Sequence, residues 1–287
     1  MERLRPYLML SPALLIILLF FLGGLVVGLM RSFNYMPIIG LTEPNLDAYA
    51  GILTDRGFLR SLGLTLYIAI ASTAISMTLA IASGLLLRRS FSGKKVMTFL
   101  FQLNLPIPHI VGAIGILFLL TQGGFLARAA HAVNLIEQPA DFPELVFDRY
   151  AIGIIAEYVW KEIPFIGVVV LAILQSVGDD YEALAQTLGA NRWQRFRHVL
   201  LPLILPGVLS VSVIVLAFTL GAYEIPFILG RSFPQALPVL AVRSYTDPDL
   251  NQRPQAMAMA VVITVLSTLL ILVYMELSRR IVRKEEH

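Results

Sequence analysis

The chain is 287 residues long, 57% hydrophobic and only 14% charged, where an ordinary soluble domain carries roughly 25% charged residues. With a mean hydropathy of +0.77, a soluble fold of this size would have too few charges to cover its apolar surface. The composition is that of an integral membrane protein and excludes disordered and fibrous classes. A formal net charge of +3 leaves no basic patch for nucleic acid. The absence of cysteine removes disulfides, thiolate metal sites and Cys nucleophiles. Histidines at 109, 131, 198 and 287 include no pair at ligand spacing, so no metal site is expected.

A helical span needs about 20 apolar residues to cross about 30 Å of hydrocarbon. Six stretches qualify. The first, Pro6–Met30, is too long for the apolar part of a signal peptide and precedes no small-residue cleavage site, so it is expected to remain as a span. The second, Ser61–Leu87, is uncharged and leads into a tight turn, Ser90-Phe91-Ser92-Gly93. Small residues at Gly23, Gly24 and Gly28, and at Ala80, Ser83 and Gly84, suit close helix packing.

The third stretch, Val96–Ala127, is uncharged apart from His109 and is interrupted by Pro106 and Pro108. Prolines free backbone carbonyls, and irregular backbone at depth is tolerated where it lines a cavity or packs against protein. Gln102, Asn104 and His109 flank this kink. They line a pathway, or the kink packs on a neighbouring helix with His109 hydrogen-bonded.

The fourth stretch, Tyr150–Gly178, holds Glu157, Lys161 and Glu162. Charges at depth are costly and face a cavity or a partner. Glu157 and Lys161 are four residues apart on one helical face, so a local ion pair is the simplest account. Glu162 has no partner in its own span. Glu157 lies roughly 10 Å from Tyr150 at the helical rise.

A different kind of segment follows. Asp179 or Asp180 can cap a helix running to Leu188, which Gly189 ends in a conformation glycine adopts cheaply. A second short helix, from Ala190 to His198 with Asn191 as a possible cap, is expected to stop before Leu201-Pro202, where the next span starts. Ala183 and Ala185 offer small surfaces, while Trp193, Phe196 and the arginines suit a headgroup boundary. The segment is either an interfacial linker or a short lever on a glycine hinge.

The fifth and sixth stretches, Val199–Tyr223 and Pro254–Met275, are uncharged. Glu224, roughly 33 Å along from Pro202, falls near the outer end. With Glu157 it forms an acidic route for a cation, or it caps a broken helix at Pro226 or meets a partner protein. Outer loops with Pro37, Pro44, Pro139 and Pro143 read as ordered turns or short interfacial helices. No polar gap exceeds about 30 residues, no Walker-type glycine loop occurs and no repeat recurs at a fixed period.

Six spans put both termini on one side. That side holds 13 basic residues, among them Arg3, Arg5, Arg88, Arg89, Arg192, Arg195 and Arg280, against 8 in the opposite loops. By the positive-inside tendency the 13-residue side is cytoplasmic.

The run from Tyr181 to Pro202 resembles the cytoplasmic coupling loop of the permease subunits of binding-protein-dependent ABC importers. Gly189 stands at that motif's glycine, Val199 at its isoleucine-type position and Leu201-Pro202 at its Leu-Pro. The amino end departs: Ala183 takes the place of the motif glutamate, Leu184 that of the first alanine and Ala185 that of the second, with Glu182 one residue early. Gly221–Gly230 and Ala236–Leu240 look like the spermidine/putrescine-type class, whose relatives include permeases for thiamine-like and phosphonate solutes.

The resemblance implies a single all-α membrane domain over 1–287 of the type I importer permease kind. It has six transmembrane helices and a cytoplasmic coupling segment at 179–200, between spans four and five. It implies ATPase coupling through Glu182, Ala183, Ala185, Gly189, Ala190, Trp193, Arg195 and Pro202. A translocation path would run past Gln102, Asn104, His109, Glu157, Glu162, Tyr223 and Glu224. The implied partners are a cytoplasmic ABC ATPase dimer that binds ATP and magnesium, a second and distinct permease, an extracytoplasmic substrate-binding protein and the lipid of the cell inner membrane. The chain itself would hold no cofactor and catalyse no reaction. A membrane enzyme would need a nucleophile and base at depth, and neither a Ser/His arrangement nor an HExxH helix is present. A scaffold holding an ATPase has no use for carboxylates at depth.

Overall fold

Without water to satisfy it, backbone at membrane depth must bond within its own segment, and long apolar runs therefore become helices. The computed structural model describes residues 5–89, 91–178 and 180–285. Among these residues there is no strand beyond one isolated antiparallel bridge, Met36 to Leu41. In chain order the helices are α1 (Arg5–Ser32), α2 (Asp47–Thr54), α3 (Arg56–Leu87), α4 (Lys94–Gln102), α5 (His109–Leu120), α6 (Phe125–Ala132) and α7 (Ile152–Val177). They continue with α8 (Asp180–Thr187), α9 (Arg192–Arg195), α10 (Leu201–Gly221), α11 (Glu224–Leu229), α12 (Leu237–Tyr245) and α13 (Arg253–Glu285).

Among the described residues, five stretches are long and apolar enough to cross a membrane on their own: Met9–Ser32, Arg56–Leu87, His109–Ala132, Arg192–Gly221 and Leu250–Ile281. The charged helix α7 brings the number to six when it is counted with α8 as one bent pair. Two expected boundaries move. The third stretch is not one helix: α4 ends at Gln102 and α5 begins at His109. Pro106 and Pro108 lack the N–H that a helix needs, and each drives its preceding residue out of helical geometry. The helix opened by Asn191 does not stop before Leu201. It runs through a π turn, Phe196–Leu200, into α10, with the Leu201 N–H donated to the Phe196 carbonyl. A widened turn of this kind absorbs Pro202, which cannot donate to the residue four back.

The chain forms two compact units, one from the residues up to Ser61 with Leu237–Val265, the other from Leu62–Ala236 with the residues from Leu266 on. In the first unit α1 is apolar along its length and exposed, with Leu15, Phe20 and Phe21 all outward. Its last turn is anchored: the Ser32 hydroxyl lies 2.7 Å from the Tyr49 hydroxyl, and Arg31 donates to the Tyr245 hydroxyl at 3.4 Å. Asp55 caps the start of α3 by accepting from the Gly57 and Phe58 N–H groups at 2.9 and 3.2 Å.

The second unit is built around α7. One buried cluster joins Ile154 and Tyr158 of α7 to Ile68, Ala113, Ile225 and Leu229. Another joins Ile166, Val170 and Leu174 to Ala80, Ile204 and Val208. Side chains of α10 and α13 meet where the Ser212 hydroxyl lies 2.6 Å from that of Tyr274. Helices in lipid gain nothing from apolar burial against one another, so their packing rests on close approach at small residues. Gly84 of α3 is such a point: a Cβ there would lie 2.5 Å from Val170 Cγ1. Gly23 and Gly24, by contrast, have nothing within 4 Å of a built Cβ. Gly84→Ala is expected to lower stability by about 1–3 kcal/mol, the usual cost of overpacking, while Gly23→Ala leaves it unchanged. Unfolding in detergent of the two variants side by side checks this.

Candidate functional site

The site grows out of two prolines on neighbouring helices. In a regular helix the Asn104 carbonyl would bond the N–H of residue 108, and the Trp160 carbonyl that of residue 164. Both positions are proline. Each freed carbonyl is met by a side chain from the other segment. Lys161 Nζ donates to the carbonyls of Asn104 and Ile107, both at 2.6 Å. Asn104 Nδ2 donates to the carbonyl of Trp160 at 2.6 Å. The kink between α4 and α5 is thereby fastened to the middle of α7.

This replaces the expected ion pair of Glu157 with Lys161. The ammonium turns to the carbonyls of the kink, of which Asn104's keeps only a turn bond from the Ile107 N–H at 3.1 Å, because under-satisfied buried carbonyls are costly, at about 1–3 kcal/mol for one left without a donor. Glu157, wholly buried, turns to His109 instead, with Oε1 3.2 Å from Nδ1. His109 Nε2 lies 3.8 Å from Glu162 Oε1, so one imidazole bridges both carboxylates of α7. Its ring packs on Phe218 at 4.7 Å between centroids. Glu157 Oε2, Asn104 Oδ1 and the Tyr158 hydroxyl are buried with no hydrogen-bond partner among the described residues.

Beside this cluster lies a cleft of about 210 Å³, lined by Leu105, His109, Lys161, Glu162, Phe165, Ile214, Val215 and Phe218. Its walls come from the kink, α7 and α10. Of the residues expected at a path, His109 and Glu162 face it, while Asn104 and Glu157 hold the wall from behind. Gln102 is exposed at the end of α4 and does not line the cleft. Tyr223 and Glu224 stand apart from it, at the break where α10 gives way to α11. There Glu224 is exposed in the first turn of α11, and the Tyr223 ring stacks on Phe227 at 5.1 Å. Lys161, Phe165 and Phe218 were not singled out for the path. Pro108 and Pro164 marked two carbonyls in need of donors, but not which side chains would reach them.

The second expected site, after α7, has the form of a lever. Asp179 lies outside the described residues, as does Ser90 of the predicted tight turn; α8 carries Asp180 and Glu182 in its first turn. Gly189 ends it with φ +85°. The Ala190 N–H reaches back to the Ala185 carbonyl at 3.0 Å, which closes a Schellman-type cap. Asn191 then caps α9 by accepting from the Gln194 N–H at 2.9 Å, and the Gln194 side chain returns the bond. Tyr181, Leu184 and Leu188, at helical spacing, are exposed. Glu182 is turned inward, paired with Arg88 just beyond α3 and 3.8 Å from Arg195. Arg195 also donates to Gln186 Oε1 at 2.7 Å. Ala183 and Trp193 are exposed, while Ala185, Ala190 and Pro202 are half-buried.

The sequence profile described as "Binding-protein-dependent transport system inner membrane component" matches residues 76–284, and the chain belongs to that family. It is 27% identical over 247 residues to the molybdenum transport system permease protein ModB of Mycobacterium bovis, covering 84% of this chain and 88% of that one. It is 34% identical over 194 residues to the trehalose transport system permease protein SugA of Mycobacterium tuberculosis, covering 64% of this chain and 59% of the relative. Its fold matches that of a bacterial alginate ABC transporter solved in complex with an alginate pentasaccharide-bound periplasmic protein, with a TM-score of 0.81 at 21% identity over 98% of this chain and 96% of that one. The chain is thus a multi-pass membrane component of a transport system, with the fold of ABC importer permeases.

Replacing Lys161 by Met removes two charge-assisted hydrogen bonds: the Ile107 carbonyl loses its side-chain donor, and the Asn104 carbonyl is left with the turn bond from the Ile107 N–H. The variant is expected to lose about 3–6 kcal/mol, the scale of two hydrogen bonds to a charged group. Its unfolding in detergent, compared with that of Lys161→Arg, checks this.

Proposed function

We propose that the chain is one of two permease subunits of an ATP-driven importer. It receives a small solute from an extracytoplasmic binding protein and passes it inward along the cleft beside His109 and Glu162. In this reading a separate ABC ATPase dimer holds ATP and its magnesium ion, and the second permease is a distinct homologue. Both termini and the α8–α9 segment face the cytoplasm, in keeping with the 13 basic residues on that side against 8 on the other. The observation that carries the reading is continuity. Helix α9 runs through the π turn into α10, and α10 supplies Ile214, Val215 and Phe218 to the cleft wall. A push on the exposed face of Tyr181, Leu184 and Leu188 passes from α8 to α9 across Gly189 and through the contacts of Arg195 with Glu182 and Gln186, and from α9 it travels along one continuous helix to the cleft. A two-state element biased by a ligand on a partner needs such a connection.

Gly189→Val tests the lever. Nothing lies within 4 Å of a built Cβ there, so the substitution strains only the left-handed backbone, at about 1–2 kcal/mol. The variant should assemble in the membrane with its partners while solute uptake by the reconstituted importer falls at least about tenfold, the equivalent of roughly 1.4 kcal/mol. Uptake at the normal rate would overturn the lever.

For the solute we infer a small organic cation of the polyamine kind. Glu162 lines the cleft and Glu224 is exposed beyond it, whereas the Lys161 charge is directed at two backbone carbonyls. A second reading, an anionic solute of the phosphonate type, is favoured by the two basic side chains, His109 and Lys161, on the same wall; a thiamine-like solute, itself a cation, belongs with the first. The relatives named above divide among a molybdenum, a sugar and a polysaccharide system and do not narrow the choice. Glu162→Gln separates the two. Uptake of an amine should fall about fivefold or more on losing roughly 1 kcal/mol of charge attraction, while uptake of an anion is unchanged or rises.

A further inference from the structure

At the far end of the second unit from the cleft, four guanidinium groups and, among the described residues, one carboxylate line the same pocket. Arg88 and Arg89 follow the last residue of α3, and Arg192 and Arg195 belong to α9. Together with Glu182, Leu85, Phe196 and Leu200 they line a small pocket of about 150 Å³. Glu182 is shared between Arg88 and Arg195. Among the described residues, neither Arg89 nor Arg192 has a carboxylate within 4 Å. Arg195 is 15% exposed, and its Nε is buried with no acceptor. Lys94 adds a further cation, donating to the Arg88 carbonyl at 3.3 Å.

Among the described residues the pocket has one acid, four guanidiniums and a buried N–H without an acceptor, a donor set that suits a multivalent anion. We propose that it binds a phosphate group, held by Arg89 and Arg192 at its mouth and by Arg195 Nε within. Guanidinium groups suit this ligand because their planar forks meet two oxygens at once. The position suits it as well. The pocket sits where α3 leaves the apolar region and where α10 enters it, the level at which a lipid headgroup lies. A phosphodiester of an anionic lipid and a free phosphate present the same oxygens to this pocket. Bound there, the phosphate ties the end of α3 to α9 and so to the lever, whichever solute the cleft carries.

The test uses the full chain, purified in a neutral detergent with the subunits it retains, and reads thermal stabilisation on titration. The two probes are phosphatidylglycerol, with phosphatidylcholine as its neutral reference, and inorganic phosphate. Wild type is compared with the double variant Arg89→Gln/Arg192→Gln, whose two sites are exposed and whose folding is not at risk. A second double variant, Arg279→Gln/Arg280→Gln, removes the same charge from the exposed end of α13. Each basic side chain near an anionic headgroup contributes about 1 kcal/mol, or about fivefold, so the first variant should weaken binding about 25-fold and the second should not.

Stabilisation by phosphatidylglycerol alone, lost in the Arg89/Arg192 variant, assigns the pocket to a lipid headgroup. Stabilisation by inorganic phosphate, lost in the same variant, assigns it to a phosphate group irrespective of lipid. If neither probe stabilises the wild type, the proposal falls. It also falls if the Arg89/Arg192 variant responds like wild type, or if the Arg279/Arg280 variant loses the response to the same degree.

Discussion

Two helices that each carry a proline have repaired one another. Pro108 leaves the Asn104 carbonyl without its helical donor, and Lys161 supplies one; Pro164 does the same to the Trp160 carbonyl, and Asn104 supplies that one. In water either carbonyl would turn to solvent at little cost. At membrane depth no solvent is available, and exchange of donors between the two broken segments becomes the cheapest repair. The rest of the second unit follows from it. With its ammonium occupied by backbone, Lys161 leaves Glu157 to find another partner, and the histidine that opens α5 is held within reach by the same kink. His109 then spans two carboxylates, and the cleft takes its shape from the backbone that the prolines displaced.

The lever and the cleft are joined by a second departure from regular helix. A π turn admits one extra residue per turn, and here it lets Pro202 sit in a continuous rod running from Arg192 to Gly221. Had the chain broken at Leu201, the α8–α9 segment would be a loop, able to move without consequence for α10. Instead the stiff part begins at the capping box of Asn191 and Gln194, and Gly189 is the joint between α8 and that rod. Glu182 and its two arginines brace the lever from the other side, which accounts for a glutamate displaced by one position from the resembling motif. It serves the inside of this chain.

Much of this was legible in the residue order. Apolar runs of span length and the Gly189 to Pro202 spacing pointed to the class, the helices and the glycine-hinged segment after α7. Those signals are local, and the membrane magnifies them because it admits few alternatives to a helix. The prolines announced a broken third span, and the broken span is there. What escaped was pairwise choice. Spacing along α7 made Lys161 the natural partner of Glu157, four residues away, and no local pattern could reveal two under-satisfied carbonyls more than fifty residues upstream. The same holds for Arg88 and Glu182, separated by 94 residues. Gln102 was chosen for lying near the kink, and proximity in sequence to a bend does not say on which side of it a side chain emerges.

The glycines of the second unit have a consequence for how such a machine moves. A Cβ on Gly84 would strike Val170, one on Gly167 would strike Phe101, and one on Gly207 would strike Ile173. These three contacts fasten α7 to α3, α4 and α10 on three sides, with backbone against side chain and no slack. Rods meshed this closely can slide or turn together, but they cannot part without opening voids that nothing in the bilayer would fill. The four helices therefore behave as one gear. In the proposed reading a push that reaches α10 moves the cleft wall as a unit, and the opening is expressed where that wall meets whatever stands opposite.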